Sequence, residues 1–264
     1  MRSKLVFASM ATVAVLASSV TAGGPKGETP TAKPKPKPNP QPAPPVEPPP
    51  QERFERDMVL RMHMHQSFDL VRAIERLLIR GKLEDAARLA TAISEVPDAP
   101  AHGPWAAQSV LVRDRAAAVA RAPTVDQACR AEAKLAAACG GCHVESKVAP
   151  EFRQYPPAPA DNGTIPGRMM RHRWAADRLW EGIIGGADEP WQAGLDVLAA
   201  APLDWGDRNK ERETLARDLQ RLATTARKQK AESLDSRATA YGEMLSTCAA
   251  CHTLKPTQPP PPKK

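Results

Sequence analysis

The sequence predicts an all-α protein made of two tandem four-helix bundles, each with a C-x-x-C-H motif at the end of its last helix. Three observations favour this fold class. Only 4% of the residues are aromatic, whereas Ala, Leu and Arg are abundant, and this composition suits helices better than sheets. Between residues 51 and 252, apolar residues recur at steps of three and four, the period of an amphipathic helix. The same cysteine motif closes both halves of the chain, which indicates an internal repeat.

The first 50 residues are expected to lie outside the bundles. Residues 1–22 resemble an export signal, because Arg2 and Lys4 precede an apolar run that ends in small residues. The run is short for a membrane span, which favours cleavage over the alternative of a retained anchor. Residues 23–50 are rich in Lys-Pro and Pro-Pro steps and predict an extended linker. We therefore expect a periplasmic protein with no stable membrane span after cleavage.

Four helices are predicted in the first bundle, residues 51–146. Gly81 is expected to end the first helix, and Pro97 and Pro100 the second, while Thr124 is expected to cap the fourth. The four run from about Met58 to Leu78, from Leu83 to Ile93, from Trp105 to Val119 and from Thr124 to His143.

The second bundle is predicted in residues 167–255, after a linker at 147–166 that is rich in Pro, Asn and Gly. Gly185 and Gly186 are expected to end its first helix. Residues 256–264 form a Pro/Lys tail. The four helices run from Arg168 to Ile184, from Trp191 to Ala200, from Arg208 to Lys228 and from Ser233 to Cys251.

The basic charge of the chain belongs to its ends. The net charge is +7, and residues 51–252 hold as many acidic as basic side chains. The helical part therefore has no excess of positive charge with which to bind nucleic acid, and we expect none as a partner.

The two motifs, which begin at Cys139 and Cys248, predict covalent haem. On a helix, thiols at positions i and i+3 point to one side, where they can form thioethers with the two vinyl groups of one haem. The histidine at i+4 follows on that side, so its imidazole can bind the iron. We predict two haem c groups, attached through Cys139, Cys142, Cys248 and Cys251 and ligated by His143 and His252.

C-x-x-C pairs also occur in redox disulfides and in zinc sites. A thioredoxin-like disulfide needs a βαβ setting, which this sequence pattern lacks. A structural zinc site would bring both motifs to one metal, whereas each motif here is predicted at the end of its own bundle. Cys129 belongs to neither pair and is expected to be a small buried residue.

A four-helix unit that ends in C-x-x-C-H resembles the cytochrome c′ family, including its low-spin relatives. The resemblance covers residues 52–145 and 168–254, and it implies that His143 and His252 are the fifth iron ligands. It also implies that a residue of each first helix faces the other side of the iron. That residue is apolar and does not bind iron in high-spin members, and it is Met in low-spin ones. This chain departs from the family in being a tandem pair and in offering both Met and His on that helix.

Each half opens with Met-x-x-His, and these residues are the candidates for the sixth iron ligand. The separation between His65 and Cys139 nearly equals that between His172 and Cys248, with a difference of only two positions. The methionine one turn earlier shares the face of its histidine. The two pairs are Met62 with His65 and Met169 with His172.

Either member of each pair can reach the iron. We choose His65 and His172, because imidazole is the stronger and commoner iron ligand. The two methionines are the alternative ligands, and an open coordination position is the third option. His63 and Met64 are expected to point to other faces of the helix.

These features predict an exported dihaem electron carrier rather than an enzyme. Its partners would be redox proteins, and a homodimer is left open. A gas-binding or sensory haem protein is the alternative if one iron keeps an open position. A peroxidase-like enzyme is the other alternative, with one open haem supplied with electrons by the second.

Overall fold

The computed structural model describes residues 50–96, 106–148, 150, 156–201, 209–229 and 233–254, with side chains from Met58 onward. All the regular structure in these ranges is α-helical, as predicted. The helices are α1 (Pro50–Ile79), α2 (Leu83–Ser94), α3 (Ala106–Ala120), α4 (Val125–Glu145), α5 (Ile165–Ile184), α6 (Asp188–Ala199), α7 (Lys210–Gln229) and α8 (Leu234–Thr253).

Several sequence predictions fall outside the described residues. These are the export signal at 1–22, nearly all of the linker at 23–50, the tail at 256–264, and the prolines expected to end the second helix. Within the described ranges, no helix combines the length and hydropathy needed to cross a bilayer.

The helix ends follow from local sequence signals. The Thr124 side chain accepts a hydrogen bond from the Gln127 amide at 3.2 Å, so the predicted cap of α4 is confirmed; Thr164 and Ser233 cap α5 and α8 in the same way. Gly81 and Gly186 each stand two residues after a helix and have φ angles of 69° and 62°. Only glycine adopts this left-handed conformation without strain, which explains where α1 and α5 end.

The helices pack in a pattern that repeats between the two halves. In each half, consecutive helices are in contact, and the first helix also touches the last. Between the halves, α4 packs against α8, α4 touches α5 and α1 touches α8. The described residues from Pro50 onward belong to one compact unit, so α1–α4 and α5–α8 are parts of a single folded body; the division into bundles at 51–146 and 167–255 stays a prediction.

Small residues allow α4 and α8 to approach closely. A Cβ atom at Gly242 of α8 would lie 3.0 Å from the Cα of Arg130 and 3.4 Å from the Cβ of Ala133, both on α4. Ala136, also on α4, and Ala249, on α8, are fully or almost fully buried. The Ala-rich composition of these helices therefore brings together the two that carry the cysteine motifs.

Charged and aromatic side chains connect the halves at their centre. Tyr241 of α8 donates a hydrogen bond to Glu75 of α1, and Arg72 of α1 forms ion pairs with both Glu75 and Asp177 of α5. The indole N–H of Trp180, on α5, donates to Glu132 Oε1, on α4, at 3.4 Å. We call these six residues the central cluster: Arg72, Glu75, Glu132, Asp177, Trp180 and Tyr241.

The two glycines of the first motif provide a matched test of the packing. A Cβ atom at Gly140 would collide with the carbonyl oxygen of Ile183 on α5, whereas one at Gly141 would meet nothing within 4 Å. We expect Gly140→Ala to lower the free energy of unfolding by about 1–3 kcal/mol, the usual cost of overpacking. Gly141→Ala should raise it by up to about 1 kcal/mol, because Ala is the better helix former. Urea unfolding of both variants measures this, and equal stabilities would contradict the close contact of α4 with α5.

Glu132 should make stability depend on pH. Burial, and then the charge of Glu75, raises the pKa of Glu132 well above its ordinary value, so this carboxyl group binds its proton more tightly in the folded chain than in the unfolded one. As pH rises from about 4.5 through the folded-state pKa, stability is lost, at about 1.4 kcal/mol per unit of pKa difference. We expect Glu132→Gln to match wild type near pH 4 and to exceed it increasingly at higher pH. Urea unfolding across this pH range, with Glu95→Gln on the exposed surface as the control, tests the sign; a pH-independent difference would refute it.

Candidate functional site

Both cysteine motifs lie at the carboxyl ends of their helices. Cys139, Cys142 and His143 occupy the end of α4, and Cys248, Cys251 and His252 occupy the end of α8. The helical conformation continues through each motif, so the i, i+3 and i+4 side chains share one side of the helix, as the sequence spacing requires.

His143 is held by a backbone carbonyl from the other half of the chain. Its Nδ1 atom lies 2.8 Å from the carbonyl oxygen of Ile184, the last residue of α5. A carbonyl oxygen can only accept a hydrogen bond, so Nδ1 carries the hydrogen. In the neutral ring, Nε2 therefore keeps its lone pair for a metal ion. The hydrogen bond to the Ile184 carbonyl fixes the orientation of the ring and increases its basicity as a ligand.

The first motif lines a cavity between α1, α2, α3 and α4. Cys139, Cys142 and His143 form its α4 side. Its α1 side is a single stripe at helical spacing, made of Leu60, His63, Met64 and Ser67, and its other walls include Ile93 of α2 and Val112 of α3.

The stripe on α1 corrects the expected orientation of His63 and Met64, and it bears on the choice of His65 as the sixth ligand. His63 and Met64 were expected to point away, yet they face the cavity with the motif. A helix turns about 100° per residue, so the neighbouring Met62 and His65 fall to either side of this stripe. They do not line the cavity, and both are exposed, Met62 to 56%. The structure thus brings His63, and not His65, to the first motif.

A spacing in the sequence could have identified His63. The separation between His63 and Cys139 is identical to that between His172 and Cys248. The Met-x-x-His pattern indicates His65 instead. Its separation from Cys139 is two positions shorter than the separation between His172 and Cys248. His65 stays the prediction of the Met-x-x-His pattern, and His63 is the histidine that the equal spacing indicates.

In the second half, His172 of α5 and His252 of α8 lie within electrostatic range of each other. Burial, and then the neighbouring His252 and Arg171, lower the pKa of His172 to about 4. Partial burial, and then the charge of Arg212, lowers the pKa of His252 as well. Both rings are therefore neutral at pH 7, the state in which imidazole binds a metal. Met169, the alternative candidate, is partly buried one turn before His172.

The thiols do not have the electrostatics of a redox dithiol. Burial, and then the neighbouring cysteine of the motif, raises the pKa of Cys139 and of Cys248 to about 12. Reactive cysteines in C-x-x-C redox motifs have a lowered pKa instead. Cys129 is fully buried, as expected, and burial raises its pKa.

The donor atoms at the first motif suit a covalently attached haem. The Cys139 and Cys142 thiols would hold the haem through thioether bonds to its vinyl groups, the oriented imidazole of His143 would bind the iron, and His63 or Met64 would lie on the opposite wall of the cavity. The cavity holds about 70 Å³, less than the roughly 300–1,000 Å³ of small-molecule sites, so attachment requires the walls to separate. Met58, Val59, Met62 and Met64 of α1 are large apolar side chains that are exposed.

In the ranges that the structure covers, no group of three or more His, Cys, Asp or Glu side chains lies together as a metal-binding cluster.

No protein-family model, curated protein or solved structure matches this chain.

Proposed function

We propose that this protein is an exported dihaem c-type cytochrome that transfers electrons through two covalently bound haems. The observation that carries the proposal is the placement of each C-x-x-C-H motif at the end of a helix with an imidazole nearby on another helix. His63 of α1 lines the cavity of the first motif, and His172 of α5 lies near His252 of the second.

The proposed architecture is a pair of four-helix bundles of the cytochrome c′ type, fused along α4 and α8. The packing pattern supports it, because each half has consecutive helices in contact and its first helix touching its last. In each bundle the first helix would supply the group opposite the motif histidine.

The haem, once attached, would supply one-electron redox chemistry, while the chain's own residues hold and orient it. The thioether positions are Cys139, Cys142, Cys248 and Cys251, and the fifth ligands are His143 and His252. The Ile184 carbonyl keeps Nδ1 of His143 protonated and leaves Nε2 for the metal.

For the sixth ligands we propose His63 and His172. His63 takes the place of His65, because His63 lines the cavity of the first motif and His65 is exposed outside it. Met64 and Met169 are the alternatives on the same helices. Two imidazoles leave no open position for a gas or a peroxide, which favours an electron carrier over a sensor or a peroxidase.

The proposed location is the periplasm, and the proposed partners are other redox proteins. The export signal in residues 1–22 and the use of cysteines for haem attachment support this location. Lysines near both ends of the chain would attract an acidic partner weakly and in a salt-dependent way.

Haem content gives the direct test. Protein made in a host that matures c-type cytochromes should carry two haems, measured by intact mass and by a pyridine haemochrome assay. Replacing Cys139 and Cys142 together by Ser, or Cys248 and Cys251 together, should leave one haem. Cys129→Ser is the matched control and should keep two, because Cys129 belongs to neither C-x-x-C-H motif. Wild-type protein with unmodified dithiols, or with disulfides in their place, would disprove the proposal.

Spectra of histidine variants test the sixth ligands. We expect His63→Ala to convert one haem from low to high spin and to let the reduced protein bind carbon monoxide, because the variant opens a coordination position. His172→Ala should do the same at the other haem. His65→Ala is the control two residues away and should leave the spectrum unchanged. A spectral change in His65→Ala with none in His63→Ala would restore His65 as the ligand.

A further inference from the structure

The central cluster holds more buried acid than buried base. Glu75 and Glu132 are 2% and 0% exposed, and Asp177 adds a third carboxylate that is 15% exposed. Arg72 is the basic side chain among them, and it pairs with Glu75 and Asp177. Burial of an ionised carboxylate without a neutralising partner costs free energy, so such a group tends to take up a proton.

Glu132 has the weakest partners in the cluster. Its Oε1 atom accepts from Trp180 at 3.4 Å, and its Oε2 atom is buried without a hydrogen-bond partner among the described residues. Arg72 lies over the face of Trp180, 4.6 Å from the ring centre, and directs its hydrogen bonds to the other two carboxylates. Glu132 is therefore the group that most needs a proton.

Titratable and charged side chains reach this part of α4 from the neighbouring helices. Arg72, Glu75 and the exposed Arg76 come from α1, and Asp177 comes from α5. The group on α8 is the Tyr241 hydroxyl, and α3 buries only the uncharged Ala116 and Val119. On α4 itself, Cys129 and Cys139 are uncharged thiols because burial raises their pKa. No group in this set gives Glu132 a cation of its own.

The cluster lies close to both cysteine motifs. Glu132 precedes Cys139 by seven residues on α4, and Tyr241 precedes Cys248 by seven residues on α8. Seven residues are two helical turns, about 10 Å, and place both residues on the same helix face as the following cysteine. Burial and the neighbouring motif cysteine are the main causes of the raised pKa values of Cys139 and Cys248, and the smaller contributions of Glu132 and Glu75 place the cluster within electrostatic range of both motifs.

We propose that the Glu75–Glu132 carboxyl pair is a redox-linked proton site shared by the two haems, an inference that rests on the proposed function. Reduction of either haem by a one-electron donor protein would remove one positive charge near the cluster and would raise the proton affinity of an ionised carboxylate there. The carboxylate then binds one proton from solvent. One electron and one proton enter together, and both leave on oxidation. The ion-paired series Glu75, Arg72 and Asp177 leads from the buried pair towards the partly exposed Asp177.

Redox titration of the holoprotein from pH 5 to pH 9 tests this proposal. We expect the midpoint potential of at least one haem to fall as pH rises, by up to about 59 mV for each tenfold change in proton concentration. Glu132→Gln should remove most of that slope, and Glu75→Gln should alter it. Glu95→Gln on the surface should retain it. A pH-independent wild type, or an unchanged slope in Glu132→Gln, would overturn the proposal and assign the protons to other groups.

An infrared difference measurement on wild type covers the case in which a glutamate variant does not fold. Reduction should change a carboxylic acid C=O band, and Tyr241→Phe should shift this band because the phenol donates to Glu75. Absence of any carboxylic acid band in the redox difference spectrum would also overturn the proposal. The haem count made beforehand separates the two proposals: a protein without haem refutes both, and a two-haem protein with neither signal refutes this one alone.

Discussion

The close contact between α4 and α8 is the constraint on which the rest of the structure depends. These helices carry the two cysteine motifs, and their Ala and Gly residues let the backbones approach until Gly242 faces the Cα of Arg130. Larger residues at this contact would separate the halves and leave the central cluster partly in water. The same contact sets the separation between the two attachment sites, and electron exchange between haems would depend on that separation.

Much of the fold could be predicted from the sequence, because its signals are local. The helix period, the caps such as Thr124 and the glycine after α1 each act within a few residues, and these parts agree with the structure. The contacts between halves could not be predicted in the same way. Small residues, such as Gly140 and Gly242, show that a helix can be approached closely, yet they do not identify the helix that approaches.

The candidate site, like the fold, has parts that the sequence predicts and parts that it does not. The spacing within each motif predicts its chemistry, so the sequence alone makes the cysteines and motif histidines candidates, and they stay predictions. The residue opposite His143 depends on how α1 is rotated about its axis, and a rotation of one residue exchanges His63 for its neighbours. The contact of His143 with the Ile184 carbonyl and the isolation of Glu132 arise from packing between helices distant in sequence. No short pattern in the sequence encodes either feature.

The hydrogen bond from His143 to the carbonyl of Ile184 lets the second half of the chain orient a histidine of the first half. The turn at Gly186 lies against Val144, the residue after His143. In the same way, the turn at Gly81 lies against Thr253, the residue after His252. The two halves thus exchange support at the ends of the motif-bearing helices. Division of the chain in the connection between α4 and α5 would take the Ile184 carbonyl away from His143 and separate Gly81 from Thr253. A fragment that holds only the first motif would therefore need a new acceptor for the His143 ring, since excision alone would not supply one.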